Sequence, residues 1–352
     1  KQDRLEKRQE EAGSMINQIG LLRFLKIIIL HPVKLINLFQ VGISYVFLNG
    51  KMWGIPPVLM LEVSTFCQLR CPLCIREDPE FSRSNKNIDI SLIKKFLEKY
   101  GRRLCVVLLY NQGEPFLHPE FLEIVKLFKK YDCFVKVSTN GNYKNIDPHA
   151  IVSSGLDHII FDVDGDDQET YEKYRVGGSL KTVIDNIGSL CNAKKELRSG
   201  SPYIEARLIA FSHNIHRIDS VNALLKSLAI DAFTVKKSLI RDEKTFKGSS
   251  GFIPDRFNRL KGKRPKSCFY LWVYFCILID GSLSPCCYDE LGRVVLGNFS
   301  NDLDKDIFNA QEYIGLRKKV KAGPETLALC KGCDIEEVFY KSYENFRKVY
   351  AS

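Results

Sequence analysis

Seven of the twelve cysteines fall into two patterns that suit metal chemistry. The first is Cys67-Gln68-Leu69-Arg70-Cys71-Pro72-Leu73-Cys74, three thiols on one short segment. Structural zinc sites take four protein ligands, often as two pairs, whereas three thiolates on a loop suit a cubane iron–sulfur cluster with one iron left open. An open iron matters because a small molecule can chelate it. The second pattern is Cys268, Cys286, Cys330 and Cys333, the last two forming a Cys-x2-Cys pair. Four thiolates close the coordination sphere of a zinc ion or of a cubane, and spacing alone leaves both open. Cys287, beside Cys286, is an alternative ligand. Cys105, Cys133, Cys191 and Cys276 lie in or near apolar runs, where ordinary core thiols are expected.

From residue 58 the apolar rhythm alternates between strand and helix. Strands are expected at 58–63, 106–110, 134–138, 158–162, 203–210 and 231–236, with helices at 90–100, 119–131, 148–154, 180–197 and 218–228. Six strands alternating with helices predict an α/β fold with a parallel sheet or incomplete barrel, which binds ligands at the carboxyl ends of its strands. The first cysteine pattern follows the first strand and so falls at such an end. Residues 242–267, rich in Gly, Ser and Lys, read as a linker. Residues 268–352 read as a small cysteine-bearing α+β unit with a hairpin signal at Asp280-Gly281.

Ahead of the sheet, residues 1–13 are charged and lack an apolar rhythm, whereas 16–48 are mostly apolar, interrupted by Arg23, Lys26 and Lys34 and broken at His31-Pro32. The longest charge-free run, 35–50, is shorter than the roughly 20 residues that span a bilayer. Two readings stand: amphipathic helices lying in a membrane interface, or helices packed on the protein itself. The expected division is 1–56 helical segment, 57–241 core, 242–267 linker and 268–352 iron–sulfur domain. The composition, 45% hydrophobic and 27% charged, excludes collagen, coiled coil and wholesale disorder. Twelve cysteines in 352 residues are too sparse for a small disulfide scaffold, and with no secretory leader in view a reducing cytoplasm is expected. The net charge of +10 suits an anionic partner without choosing one.

Further motifs accompany the first cysteines in order. The second strand runs into Asn111-Gln112-Gly113-Glu114-Pro115, the third into Ser138-Thr139-Asn140-Gly141 and the fourth into Asp162-Val163-Asp164-Gly165, followed by Tyr171 and Arg175. Over residues 57–240 this resembles the radical S-adenosylmethionine (radical SAM) superfamily. Gln112 replaces the first glycine of the family's Gly-Gly-Glu-Pro element, and Leu73 stands where the family often has an aromatic residue. After 268, Asp280-Gly281, Pro285-Cys286-Cys287-Tyr288-Asp289 and Leu296-Gly297-Asn298 resemble the SPASM/twitch extensions that carry auxiliary clusters. No cysteine follows Cys333, so one auxiliary cluster is expected; the step from Cys268 to Cys286 is similar to the twitch arrangement of a radical SAM dehydrogenase.

The resemblance implies a partial (β/α)6 barrel with a small α+β SPASM/twitch domain. It implies S-adenosylmethionine and two [4Fe–4S] clusters, one on Cys67, Cys71 and Cys74, the other on Cys268, Cys286, Cys330 and Cys333. Gly113 would let the backbone approach the methionyl amine, Glu114 would supply an acceptor, Ser138 and Asn140 would meet the ribose, and Arg175 the carboxylate. A donor such as flavodoxin or ferredoxin would supply the electron that generates a 5′-deoxyadenosyl radical. That radical would abstract hydrogen from a small polyol, sugar or related metabolite, lipid-linked if residues 16–48 meet a membrane. Oxidation would use the auxiliary cluster for electron transfer; epimerisation would need a hydrogen-donating thiol, with Cys276 and Cys287 as candidates. The alternative is a maturase of a ribosomally made peptide, although 56 mostly apolar residues ahead of the core are few for a leader-binding domain. No nucleic-acid partner is expected. Localisation is expected to be cytoplasmic, peripheral on the inner membrane face under the interface reading.

Overall fold

A computed structural model describes residues 30–237, 268–302, 304–324 and 327–330. In chain order the elements are α1 (Pro32–Phe47), β1 (Val58–Leu61), α2 (Ile90–Tyr100), β2 (Val106–Leu108), α3 (Phe121–Lys129), β3 (Phe134–Thr139), α4 (Pro148–Ser153) and β4 (His158–Asp162). There follow α5 (Gln168–Glu172), α6 (Leu180–Glu196), β5 (Tyr203–Ala210), α7 (Ile218–Lys226) and β6 (Ala232–Lys237). After the expected linker, which lies outside the described residues, come α8 (Tyr270–Val273), β7 (Tyr274–Ile277), β8 (Leu283–Ser284), α9 (Phe299–Asp302) and α10 (Gln311–Ala322).

Among the described residues eight strands form one unclosed sheet, in the order β6-β5-β4-β3-β2-β1-β7-β8. Strands β1 to β6 are parallel neighbours in sequence order, as crossover helices require. β7 then pairs parallel with β1, Leu59 opposite Phe275, and β8 turns back antiparallel. The chain after residue 268 thus extends the sheet at the β1 edge. The sheet does not close, and β6 and β8 form the edges of a partial barrel.

Period-two alternation divides the two faces. Leu59, Leu61, Val107, Val135, Val137, Ile159, Phe161, Ile204, Ala206 and Phe275 lie in the main core with helix residues such as Phe96, Ile124, Phe128, Ile187 and Leu225. Burying each large apolar side chain contributes about 1.5–3 kcal/mol, which holds the helical layer to the outer face. Local caps set where the helices begin: Asp89 accepts from Ser91 N, Asp147 from His149 N, and Ser179 from Thr182 N. The strands end sooner than their apolar runs, since β1 stops at Leu61 and β2 at Leu108. Glu62 N still donates to Ile277 O and Leu109 N to Lys136 O, so pairing persists just past each strand.

α1 starts at Pro32, where a proline costs the helix no hydrogen bond, consistent with the break read at His31-Pro32. Residues 1–29 lie outside the described residues. α1 buries Lys34, Asn37, Val41 and Ser44. Lys34, expected at lipid headgroups under the interface reading, instead has its Nζ donating to Leu104 O, Tyr131 O and Asp132 O at 2.6, 2.8 and 2.9 Å. An ammonium has three donors, and here three carbonyls receive them. Asn37 brackets Ile55 through both its backbone groups, and the Ser44 hydroxyl accepts from Trp53 N. These partners precede β1, β2 and β3, so α1 covers the amino-terminal end of the barrel.

Candidate active site

The opposite end carries the cysteines. Cys71 sits in an apolar cluster with Leu69, Tyr174 and Phe211, and Cys67, Leu73 and Cys74 pack on its edge. Leu73 thereby supplies apolar contact at the family's aromatic position. Arg70 N donates to Val176 O, tying the loop to the segment after α5, and Cys74 N donates to Cys71 O. Burial pushes the Cys71 thiol up to about 11 and raises Cys67 as well. A buried thiol of that kind becomes a thiolate only beside a cation, which is what cluster iron supplies. Among the described residues no three His, Cys, Asp or Glu side chains close on a single ion. A cubane asks for less convergence, because each thiolate takes its own iron.

Gly113 must be glycine. Its φ is +77°, and a Cβ there would lie 2.2 Å from Ser64 O and 2.8 Å from Phe66 O. Glu114 N then donates to Phe66 O at 2.7 Å, so this turn presses against the backbone leading into the cysteine loop. Glu114, expected to supply an acceptor at the cofactor, is turned inward. Its Oε1 accepts from Thr139 Oγ1 at 2.7 Å and from Phe116 N at 3.1 Å, and its Oε2 from Asn140 N at 2.8 Å. Burial pushes its carboxyl up to about 7 against these three donors. Its visible work is to bind the end of β3 to the turn after β2.

The other cofactor candidates also have protein partners. Asn140 directs Nδ2 at Cys67 Sγ (3.5 Å) and pairs with the Gln68 amide, which places it at the cysteine loop. Ser138, two residues earlier on the same face, accepts from Arg207 Nη2 at 2.7 Å. Arg175 is buried, with Nε 2.5 Å from Asp164 Oδ2 and Nη1 3.9 Å from Cys71 Sγ. Its Nη2 lies 3.3 Å from Asp162 Oδ2 without hydrogen-bond alignment, leaving a buried N–H for a ligand oxygen.

The inner face of the barrel divides in two. On β7, β1 and β2 it is apolar, with Met60, Tyr274, Cys276 and Leu278 flanked by Leu108 and Tyr110. On β3 to β6 it is charged. His158 Nε2 lies 2.9 Å from Glu205 Oε2, Thr234 Oγ1 donates to Glu205 Oε1 at 2.6 Å, and Arg207 grips Asp162 at 2.7 Å. Lys136 and Lys236 share this neighbourhood. Burial holds Lys136 below the ordinary lysine range, whereas Lys236 is exposed at the β6 edge. The sequence reading missed this set, although Phe134-Val135-Lys136-Val137-Ser138 and Tyr203-Ile204-Glu205-Ala206-Arg207 show it as polar residues at alternate strand positions. Glu62 was missed too; it is buried against Arg83 and accepts from Ile279 N at 2.9 Å, joining the end of β1 to the later segment.

Of the second cysteine set, Cys268 and Cys330 pack on one apolar cluster around Trp272, whereas Cys286 and Cys287 pack on a neighbouring one around Tyr274. Val273 touches both clusters. Cys333 lies outside the described residues. Cys276 is buried on the inner face, its Sγ 3.6 Å from Tyr274 Oη, and Cys287 Sγ lies 3.8 Å from Tyr270 Oη. Burial raises both thiols.

An unclosed parallel sheet, three thiols on the loop after its first strand, and a glycine turn pressed against that loop define a radical SAM core. Residues 61–201 match the radical SAM superfamily, and residues 268–334 match an iron–sulfur cluster-binding domain, SPASM. The chain belongs to the radical SAM superfamily and carries a SPASM domain after its core; its cofactors are S-adenosylmethionine and [4Fe–4S] clusters. It is similar to a tungsten-containing aldehyde ferredoxin oxidoreductase cofactor-modifying protein from Pyrococcus furiosus, 25% identical over 185 residues and covering 51% of each chain. The chain thus spans about half the length of that relative. Among solved structures, BtrN in complex with AdoMet and 2-DOIA superposes with a TM-score of 0.50 at 18% identity, over 80% of this chain and 94% of BtrN. Streptococcus suis SuiB bound to its precursor peptide SuiA superposes with a TM-score of 0.58 at 12% identity, over 78% of this chain and 69% of SuiB. At these identities the likeness establishes the fold.

Proposed function

We propose that this enzyme removes a hydrogen atom from a carbinol carbon of a small polyol, sugar or related metabolite and oxidises it to a ketone. The observation that carries the reading is the charged and hydroxyl-bearing half of the inner face, Lys136, His158, Glu205, Arg207 and Lys236, a lining suited to a polar substrate. Cys67, Cys71 and Cys74 would hold the cluster whose S-adenosylmethionine yields the 5′-deoxyadenosyl radical. Gly113 brings backbone to the cofactor, Arg175 Nη2 offers a donor for its carboxylate, Asn140 and Ser138 line the same face, and Glu114 positions them. The domain boundaries, a core at 57–241 and an auxiliary unit at 268–352, belong to the same proposal. So does a single auxiliary cluster on Cys268, Cys286, Cys330 and Cys333, a nearby electron acceptor.

The balance is closed. One electron from an external reductant and one S-adenosylmethionine give methionine and the radical, which takes the carbinol hydrogen to form 5′-deoxyadenosine. The resulting substrate radical loses one electron and the hydroxyl proton to become the ketone. The product is two hydrogens lighter, and no net electron is consumed.

A second reading, maturation of a ribosomally made peptide, is favoured by the likeness to SuiB, whose structure holds a precursor peptide. The test is anaerobic incubation of the reconstituted chain with S-adenosylmethionine, a reductant and either polyols and sugars or peptides encoded beside the gene. A polyol or sugar that raises 5′-deoxyadenosine formation and returns two hydrogens lighter supports the oxidation. Response to a peptide, with none to any polyol or sugar, assigns the second reading.

A further inference from the structure

Helix α1 is inverted. The stripe it packs against the barrel is Lys34, Asn37, Val41 and Ser44. At 3.6 residues per turn the opposite side carries Leu35, Ile36, Phe39, Ile43, Val46 and Phe47, with no charged or amide side chain among them. Among the described residues Phe39 is 69% exposed and Phe47 75%, and Trp53, held beside the helix by Ser44, is 61% exposed. A helix of a globular protein normally buries its apolar side. Here the polar side is bonded to backbone groups of the barrel, so the helix cannot rotate its apolar side inward without orphaning the Lys34 ammonium.

The surroundings say what this face meets. From Leu30 to Leu61 the chain holds no aspartate or glutamate, and its exposed cation there is Lys51. Arg102 and Arg103 are exposed on the turn whose carbonyl Asn37 binds, and Lys51 is exposed just past the helix. Lys318 and Lys319 are exposed on α10, which packs against Gly50. Lys321 of the same helix donates to Tyr45 O on α1. Acids near these flanks include Glu312 in the first turn of α10, Asp132, which lies 3.6 Å from His31, and exposed Asp306, bonded to the Asn309 that holds Met52. An apolar strip bearing Phe and Trp with a cationic surround is the pattern of an interfacial helix on anionic lipid. No helix among the described residues is long and apolar enough to cross a membrane.

We propose that α1 and Trp53 form a docking face for the surface of an anionic lipid bilayer. The face lies at the amino-terminal ends of the strands, opposite the cysteine loop. Docking therefore leaves the mouth of the active site turned away from the lipid, and it holds the enzyme at the membrane whichever substrate it takes.

The test is flotation of the reconstituted full chain with vesicles of phosphatidylcholine alone or of phosphatidylcholine and phosphatidylglycerol in equal parts. Wild type should float with the anionic vesicles, weakly with neutral ones, and less at high salt. Phe39→Ser with Phe47→Ser should weaken binding about thirtyfold or more, given the apolar area withdrawn from the interface. Lys318→Glu with Lys319→Glu should weaken binding to anionic vesicles alone. All these positions are exposed, so melting temperature and 5′-deoxyadenosine formation should match wild type. A wild-type chain that stays in solution with anionic vesicles overturns the proposal, as does a Phe39→Ser, Phe47→Ser double variant that floats like wild type. Dimerisation abolished by the same pair, without flotation, assigns the face to a second copy and overturns it. Flotation gained only on removing residues 1–29 assigns the face to that segment and likewise overturns the proposal.

Discussion

Glu114→Gln tests whether this carboxylate positions the site or touches the cofactor. In the folded chain two backbone N–H groups and one hydroxyl converge on it, from Phe116, Asn140 and Thr139. Glutamine has one oxygen to offer them. If the oxygen serves Phe116 and Thr139, the new NH2 faces Asn140 N–H, donor to donor. If it serves Asn140, Phe116 N–H is stranded, and Thr139 Oγ1 is already an acceptor for Gly141 N. Either way a buried charge-assisted bond is lost and a buried donor left unmet, costing about 2–3 kcal/mol. For a chain of this size that lowers the melting temperature by about 3–4 °C. Because Asn140 leans on Cys67, 5′-deoxyadenosine formation should also fall about 10- to 100-fold. Because the Glu114 carboxyl titrates at about 7 in the fold and lower when unfolded, wild type gains stability on the variant as pH falls from about 7, so the gap in melting temperature should widen on acidification. The assays are thermal melting without S-adenosylmethionine and a cofactor titration of 5′-deoxyadenosine formation. A variant that melts like wild type but needs far more S-adenosylmethionine would refute the positioning argument and put the carboxylate on the ligand.

Anaerobic reconstitution should load about eight irons per chain, and Cys67→Ala, Cys71→Ala and Cys74→Ala together should leave about four and abolish 5′-deoxyadenosine; four irons plus tightly held zinc in the wild type would defeat the auxiliary cluster. Cys330→Ala with Cys333→Ala should spare S-adenosylmethionine cleavage while blocking ketone formation. Stoichiometric solvent deuterium at the reacting carbon, lost on Cys276→Ala or Cys287→Ala, would show epimerisation instead. For Glu205, burial opposes the charge, but the hydrogen bonds from His158 and Thr234 and the Lys136 ammonium hold its carboxyl down at about 2. A carboxyl depressed in the folded state stabilises above its unfolded pKa and loses that stability as pH falls through the folded one. Burial holds His158 below its ordinary value, which adds loss in the same direction from about 6.5 downward. Acid melts between pH 6 and 3 should therefore show on the order of 2 kcal/mol less pH dependence in Glu205→Gln than in wild type; parallel curves would remove this pair from the account.

Much of the core was legible because strands between turn residues carry short apolar runs: β3 and β5 alternate with polar residues, whereas β1 and β2 are apolar throughout. The cysteine loop was legible for a different reason, since three thiols within eight residues have few uses besides a cluster. Partner choice was not. Nothing local in Asn111-Gln112-Gly113-Glu114-Pro115 tells that the carboxylate reaches to Thr139 and Asn140 across the sheet, because that pairing depends on how far the turn is pressed against Ser64 and Phe66. The place of β7 was hidden as well. Its run reads as a hairpin strand, and only the exposed edge of β1 makes it a parallel neighbour.

Lys34 shows how a residue type can mislead when its bonds are long-range. In an apolar stretch a lysine reads as a charge reaching for water or lipid headgroups, but its three carbonyl partners lie 70 to 98 residues away along the chain. The same inversion recurs inside the barrel, where Arg175 and Asp164 are buried among apolar neighbours. Buried charge of this kind is tolerated only when met by partners. At Lys34 the backbone of the barrel floor meets it in full, which fixes α1 with its apolar side outward. At Arg175 the protein leaves one N–H over, at the end where the cysteines stand. At one end of the barrel the Lys34 ammonium is fully met while the outer side of α1 lacks an apolar partner, and at the other Arg175 is short of one polar contact beside the cysteine loop. Each deficit matches the chemistry of the ligand proposed for that end.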